Sequence, residues 1–139
     1  MADKLTGGCQ CGKVRYEIDA APAMSAHCHC RDCQKATGTG HLTAALFPRA
    51  AVHVTGEMKG YTSKGDSGQD VTRFFCPNCG SRILTQPAVM PDMTIVAVGS
   101  LDDPNAIGDV GMALYAKHRN RWDHVHPSVQ SFEAMPPRG

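Results

Sequence analysis

The sequence has no long apolar stretch, no sustained run of one charge and few aromatic residues. No apolar segment approaches the roughly 20 residues of a membrane-spanning helix, and the start, MADKLTGGCQCGK, lacks the apolar core of a signal peptide. Fourteen basic residues against 13 acidic ones give a net charge of +1, which offers no electrostatic basis for general nucleic-acid or membrane binding. We therefore expect a soluble, cytoplasmic protein that binds neither nucleic acid nor membranes.

Most periodic segments are short and alternate apolar with polar residues, a pattern typical of half-buried β-strands. In VRYEI (14–18), Val14, Tyr16 and Ile18 share one face and two charged residues share the other. TIVAV (94–98) is apolar and β-branched, which predicts a central strand covered on both sides.

Glycine-rich and proline-containing turn segments separate these strands. At 139 residues, the length favours one domain spanning residues 1–139. The pattern predicts an all-β fold of many short strands in two packed sheets. One short helix is expected near Arg31–Thr37, with Gly38 in position to end it.

Cysteine is abundant, with seven copies. An odd count without a secretion signal argues against a disulfide framework. The cysteines form three tight groups: Cys9 with Cys11, Cys28 with Cys30 and Cys33, and Cys76 with Cys79. In a reducing compartment such clustering favours metal binding or catalysis over a set of unrelated buried thiols.

The spacings allow a division into four ligands and three. CPNCG (76–80) has the spacing of a zinc knuckle, and CQC (9–11) places both sulfurs on one face of an extended segment. Cys28, Cys30 and Cys33 can converge on one ion without distant help. Closed four-ligand sites are typical of structural zinc, whereas catalytic zinc keeps three protein ligands and an open position for water or substrate. Two alternatives stay open, namely that the pairs 9/11 and 28/30 share an ion, and that a histidine completes the group of three.

Histidines are weaker ligand candidates than these cysteines. His27 and His29 alternate with the cysteines in sequence, so we expect them to point away from the sulfurs. The remaining candidates to complete the group of three are His41, His53, His118, His124 and His126. HVH (124–126) is the one histidine pair with ligand-like spacing, and surface or hydrogen-bonded roles explain each of these histidines more simply.

Other polar residues give weaker signals. Four cationic residues near the cysteines are candidates to hold a carboxylate ligand or to be solvated surface: Arg31, Lys35, Arg73 and Arg82. We interpret Asp102 and Asp103 as turn residues and Trp122 as a packing residue.

Four motifs, in this order, resemble those of the glutathione-dependent formaldehyde-activating enzyme family, which also includes centromere protein V: GGCQCGKVRYEI, CHCRDCQKATG, FFCPNCGSRI and VAVGSLDDP. The resemblance runs from Gly7 to about Pro104 and includes all seven cysteines. It implies a β-sandwich-like fold with two zinc ions per chain. We expect the second ion to be the more easily lost, because a three-cysteine site has one fewer protein ligand and is open to solvent. By resemblance, Cys9, Cys11, Cys76 and Cys79 hold a structural zinc, and Cys28, Cys30 and Cys33 hold the zinc at which glutathione binds.

The resemblance implies a carbon–sulfur lyase, an S-(hydroxymethyl)glutathione synthase-like enzyme that combines glutathione with formaldehyde or acts on a similar thiol–carbonyl adduct. The alternative is a non-catalytic module on the same two-zinc scaffold that carries glutathione or another thiol, or binds a protein. Retention of Cys28, Cys30 and Cys33 favours the enzyme, because a scaffold needs only the closed four-cysteine site.

Overall fold

The computed structural model describes residues 4–136, which contain eleven strands, one α-helix and four short 3-10 turns. The strands are β1 Leu5–Gly8, β2 Arg15–Ile18, β3 Met24–Cys28, β4 Leu42–Pro48, β5 Val52–Thr55, β6 Lys59–Lys64, β7 Asp70–Phe75, β8 Arg82–Pro87, β9 Met93–Ala97, β10 Met112–Leu114 and β11 Gln130–Ser131. Helix α1 spans Arg31–Thr37 and ends at Gly38 in a left-handed conformation, as predicted. No helix among these residues is long and apolar enough to cross a membrane.

The strands form two sheets, which confirms the predicted fold class. The small sheet has the order β1-β2-β5, and the large sheet has the order β11-β10-β3-β4-β9-β8-β7-β6. Neighbours are antiparallel except that β10 runs parallel to both β3 and β11. The last strands of the chain therefore return to lie beside β3, which ends at Cys28.

One apolar cluster joins the two sheets. From the small sheet, Tyr16 and Ile18 are 2% and 0% exposed, whereas Arg15 and Glu17 face solvent, so the period-two prediction for this segment is confirmed. Phe47 of β4 and Val96 of β9 enter the same cluster from the large sheet. Burial of such side chains is the main favourable contribution to folding.

Strand β9 lies between β4 and β8, as predicted for a central strand. Its two faces are covered unequally, however. Thr94 and Val96 are buried, while Met93, Ile95 and Ala97 are partly exposed. The prediction that β9 is covered on both faces was therefore wrong, because the small sheet packs on only one face of the large one.

Asp102 and Asp103 have structural roles, as the sequence predicts. Asp102 accepts a hydrogen bond from the Thr6 hydroxyl at 2.7 Å and two from the Arg15 guanidinium at 3.0 and 2.5 Å. Asp103 caps the 3-10 turn Pro104–Ile107 by accepting from the Asn105 N–H. Trp122 packs one edge of its ring against Gly40, but its side chain lies in a loop and is 67% exposed.

Candidate metal centres

The first cysteine cluster joins two turns that are far apart in sequence. Cys9 and Cys11 follow β1, and Cys76 and Cys79 lie between β7 and β8. The four sulfurs lie within 4.8 Å of one another, and the Cys11 and Cys76 sulfurs are 3.8 Å apart although 65 positions separate them. The cluster therefore connects the small sheet to the large one.

The backbone of these turns favours thiolates. Backbone N–H groups donate to the Cys9 sulfur, from Val14 at 3.2 Å, and to the Cys76 sulfur, from Cys79 at 3.5 Å. Hydrogen bonds from Ser81, through its side chain and then its backbone, lower the pKa of Cys79 to about 5. Since thiolates rather than thiols bind metals, this donor set fits a structural zinc ion.

The second cluster is local in sequence. Cys28 ends β3, and Cys30 is the N-cap of α1, where its sulfur accepts a hydrogen bond from the Cys33 N–H at 3.2 Å. The helical turn that starts there brings the three sulfurs within 4.8 Å of one another. Within residues 4–136, this group contains no fourth histidine, cysteine or carboxylate. Three sulfurs with no fourth protein ligand fit the open coordination of a catalytic zinc site.

One thiolate is favoured within this group. Hydrogen bonds from the Cys28 and Cys33 thiols lower the pKa of Cys30, and the positive charge of Arg73 acts in the same direction. Hydrogen bonds with Cys28 and then with Cys30 raise the pKa of Cys33, because a single negative charge is shared among close sulfurs. A dication placed among the sulfurs would remove this competition by stabilising each thiolate.

A cavity and a cleft lie beside the second cluster. Cys33 lines a small cavity together with Arg73 and Arg82. This cavity shares Arg82 with a wider cleft of about 450 Å³ that also reaches His41. A cleft of this volume is in the range that binds small molecules.

Two of the four cationic candidates therefore lie at the cavity. Within residues 4–136, neither Arg73 nor Arg82 forms an ion pair with a carboxylate. Arg82 is fixed by donating from Nε to the Ala36 carbonyl at 2.8 Å and by stacking over the Phe75 ring. Arg31 and Lys35 are exposed on α1 and line neither space.

Tyr115 is a neighbour of the second cluster that the sequence did not reveal. It follows Leu114, which pairs with Cys28, and it is the one non-glycine residue with positive φ, at 54°, in the described part of the chain. Such strain often accompanies functional sites. Burial, the Asp66 carboxylate and the nearby Cys28 and Cys30 all raise the pKa of Tyr115, so the phenol stays protonated at neutral pH.

The histidines lie apart from the second cluster. His29 is grouped with His41 and Asp123, while His53 pairs with Asp19 and His126 bonds Ser128. The pair at 124–126 belongs to no metal-ligand group among the described residues. Asp123 was missed in the sequence, where its only signal was its place in a histidine-rich segment.

One protein-family model matches the sequence over most of its length. The sequence model of the family described as "Glutathione-dependent formaldehyde-activating enzyme" matches residues 4–118. The chain belongs to this glutathione-dependent formaldehyde-activating enzyme family. The match covers all seven cysteines and both arginines of the cavity, and it stops before Asp123.

A solved structure shares the fold of this chain. A crystal structure of a Rhodobacter sphaeroides protein superimposes with a TM-score of 0.59 at 23% identity, covering 76% of this chain and 96% of that one. No curated protein matches the sequence at a significant level. The similarity to the Rhodobacter protein, at this identity, supports the fold alone.

Proposed function

We propose that this protein is a zinc-dependent carbon–sulfur lyase-type enzyme acting on a thiol–carbonyl adduct, such as S-(hydroxymethyl)glutathione formed from glutathione and formaldehyde. The observation that carries the proposal is the group of three sulfurs, Cys28, Cys30 and Cys33, beside a cavity lined by two arginines that form no ion pair within residues 4–136. We assign two zinc ions per chain, a catalytic one to this group and a structural one to the four-cysteine cluster.

The proposed reaction joins the thiol sulfur to the carbonyl carbon, and the carbonyl oxygen takes up the proton that the sulfur loses. A zinc ion held by Cys28, Cys30 and Cys33 would leave a fourth position open and would lower the pKa of a substrate thiol, so that the thiol would be present as its thiolate near neutral pH. The cysteines orient this position, since β3 and the first turn of α1 fix them relative to one another. A thiolate is the nucleophilic form of a thiol.

Arg73 and Arg82 supply the proposed binding energy for the substrate. Glutathione carries two carboxylates, and a guanidinium binds a carboxylate through paired N–H donors. Arg82 lies at the junction of cavity and cleft, and its stacking on Phe75 holds the guanidinium in place. A bound tripeptide would thus extend from the sulfur group into the cleft.

Tyr115 is the proposed hydrogen-bond donor to the carbonyl oxygen. Burial and a hydrogen bond to Asp66 raise its pKa most, and charge at Cys28 and Cys30 adds to the shift. A phenol that remains protonated stabilises the negative charge that develops on oxygen as the carbon–sulfur bond forms.

We also propose a cytoplasmic location. All seven cysteines are unpaired by disulfides, and thiolate metal sites of this kind persist most readily in a reducing compartment. Glutathione is abundant in such compartments, so the proposed substrate and location agree.

The proposed activity is tested by exchange NMR of glutathione with formaldehyde. The wild-type protein should accelerate interconversion of glutathione and S-(hydroxymethyl)glutathione above the spontaneous rate. Cys33→Ser should return the rate to the spontaneous one, whereas Arg121→Gln, at an exposed arginine outside the cavity, should not alter it. A wild-type protein that binds glutathione without accelerating exchange would instead be a thiol carrier.

Arg82→Gln tests the binding role separately. Loss of one charge-assisted contact costs about 1.5–3 kcal/mol, so KM for glutathione should rise roughly 10- to 100-fold with a smaller change in kcat. The matched comparison is cysteamine, a thiol without carboxylates, whose KM should be unaffected. An equal loss with both thiols would contradict a carboxylate-binding role.

A further inference from the structure

A third cluster of metal-binding side chains lies outside the cysteine groups. His29 lies between β3 and α1, His41 precedes β4, and Asp123 comes from the loop after β10. One ligand atom from each of the three residues lies within 4.8 Å of the others. Segments distant in sequence thus converge here.

The three residues are held in place by their surroundings. The His29 N–H donates to the Leu114 carbonyl at 2.9 Å, and the Arg119 guanidinium donates to the Asp123 carbonyl at 2.8 Å. The Asp123 carboxylate packs so closely on Gly40 that a Cβ atom there would collide with it. The cluster is therefore built by the fold rather than formed by loose surface side chains.

Both histidines present Nδ1 to the same carboxylate oxygen. Oδ2 of Asp123 is 2.7 Å from Nδ1 of His41 and 3.2 Å from Nδ1 of His29. The His41 contact has hydrogen-bond geometry, but the His29 contact does not. The side chains of His29, His41 and Asp123 are 0%, 27% and 11% exposed, so the cluster is largely shielded from bulk water.

His29 gives the strongest evidence for a ligand at this cluster. Its ring is fully buried, and among the described residues neither ring nitrogen makes a hydrogen bond of good geometry, although Asp123 Oδ2 lies 3.2 Å from Nδ1 and the Gly40 backbone is close by. Buried polar groups without partners are rare in native proteins because desolvation is costly. A ligand that accepts a nitrogen lone pair would remove this cost.

We propose that His29, His41 and Asp123 bind a divalent transition-metal ion at a third site, separate from both cysteine clusters. The ion would take the place of the proton that His41 Nδ1 donates to Asp123 Oδ2, and that proton would be released to solvent on binding. Two imidazole nitrogens and one carboxylate oxygen are a donor set used by Zn²⁺, Co²⁺, Ni²⁺ and Fe²⁺. The set carries one negative charge, so the bound ion keeps a net positive charge. A metal held by three thiolates lies in a net negative site, which makes the third ion the stronger Lewis acid.

The third site has access to solvent and small molecules through His41. His41 lines the same cleft that reaches the cavity beside Cys33. His27, whose ring centroid is 4.6 Å from that of His41, bonds Thr43 instead and belongs to no metal-ligand group among residues 4–136. An ion at the third site would therefore have one side toward the cleft.

Cobalt distinguishes this site from the cysteine sites. The full chain, produced in cobalt-supplemented medium, is analysed for metal content and for its absorption spectrum. Cobalt bound to thiolate gives an intense sulfur-to-metal charge-transfer band, which cobalt bound to nitrogen and oxygen lacks. Wild type should contain about three cobalt ions per chain if all three sites fill. His41→Gln and Asp123→Asn should each lower the content by about one ion without changing the band per chain.

His53→Gln is the matched control, because it removes a histidine that is paired with a carboxylate but belongs to no metal-ligand group among the described residues. Its cobalt content should equal that of wild type. The proposal is overturned if wild type binds no cobalt beyond the thiolate-bound ions. In that case only hydrogen bonds or water would join His29, His41 and Asp123. It is also overturned if the His41 and Asp123 variants keep their cobalt, or if the charge-transfer band falls with the lost ion. Because the wild-type count needs no variant, a misfolded variant does not prevent the test.

Discussion

Cys79→Ser removes one sulfur from the cluster that connects the two sheets. Cys79 lies on the turn between β7 and β8, and its sulfur bonds the Ser81 hydroxyl at 3.3 Å. Structural zinc binding contributes on the order of 10 kcal/mol, similar to the net stability of a whole domain, about 5–15 kcal/mol. If the variant loses roughly half of that contribution, about 5 kcal/mol, Tm falls by about 20 °C at roughly 4 °C per kcal/mol.

Calorimetry and elemental analysis test this prediction, with Cys33→Ser as the matched variant. Cys33 belongs to a group confined to residues 28–33, so its loss should leave the connection between the sheets intact and change Tm far less. We expect Cys79→Ser to be insoluble or to melt about 20 °C lower. A soluble Cys79→Ser protein with unchanged Tm and zinc content would refute the structural role.

Three further predictions concern positions that support the sites. Gln34→Leu removes hydrogen bonds from Gln34 to the His29 and His118 carbonyls. The free energy of unfolding, measured with denaturant, should therefore fall by about 2–4 kcal/mol. A fall below about 0.5 kcal/mol would contradict this prediction. Hydrogen bonds from Arg15 and then Thr6 lower the pKa of Asp102 to about 2, so this carboxylate stabilises the fold above about pH 4 and the contribution disappears as pH falls toward 2. Asp102→Asn should therefore flatten the acid limb of the stability–pH curve, and an unchanged slope would contradict this. Gly40→Ala should destabilise the protein by about 1–3 kcal/mol through overpacking. Gly99→Ala should not, because there is open space around Gly99. Equal Tm values for the two variants would contradict this prediction.

Local sequence patterns predicted the local features. Helix α1 follows from the spacing of Cys30 and Cys33 and from Gly38, all within one turn or two of each other. The same short range explains why Cys28, Cys30 and Cys33 could be grouped from spacing. The alternation in Val14, Tyr16 and Ile18 predicted the buried face of β2, because side chains on a strand alternate between its two faces.

Features that depend on long-range packing were not predictable from these patterns. Asp123 meets His41 across 82 positions because β10 returns to run parallel to β3, and no local signal specifies that pairing. Trp122 was expected to be a packing residue on grounds of residue type, and it does contact Gly40, but the side chain is 67% exposed because its loop lies at the surface. Arg73 and Arg82 reach one cavity only through the register of β7 and β8.

The most direct test of the central claim is whether a substrate sulfur enters the group formed by Cys28, Cys30 and Cys33. In cobalt-substituted protein, adding glutathione should strengthen the thiolate-to-cobalt charge-transfer band, because a fourth sulfur joins the three cysteines. S-methylglutathione, which has no free thiol, should leave the band unchanged, and Cys33→Ser should abolish the response. A band that does not change with glutathione, or a protein histidine that remains bound at that position with glutathione present, would contradict the open-site mechanism.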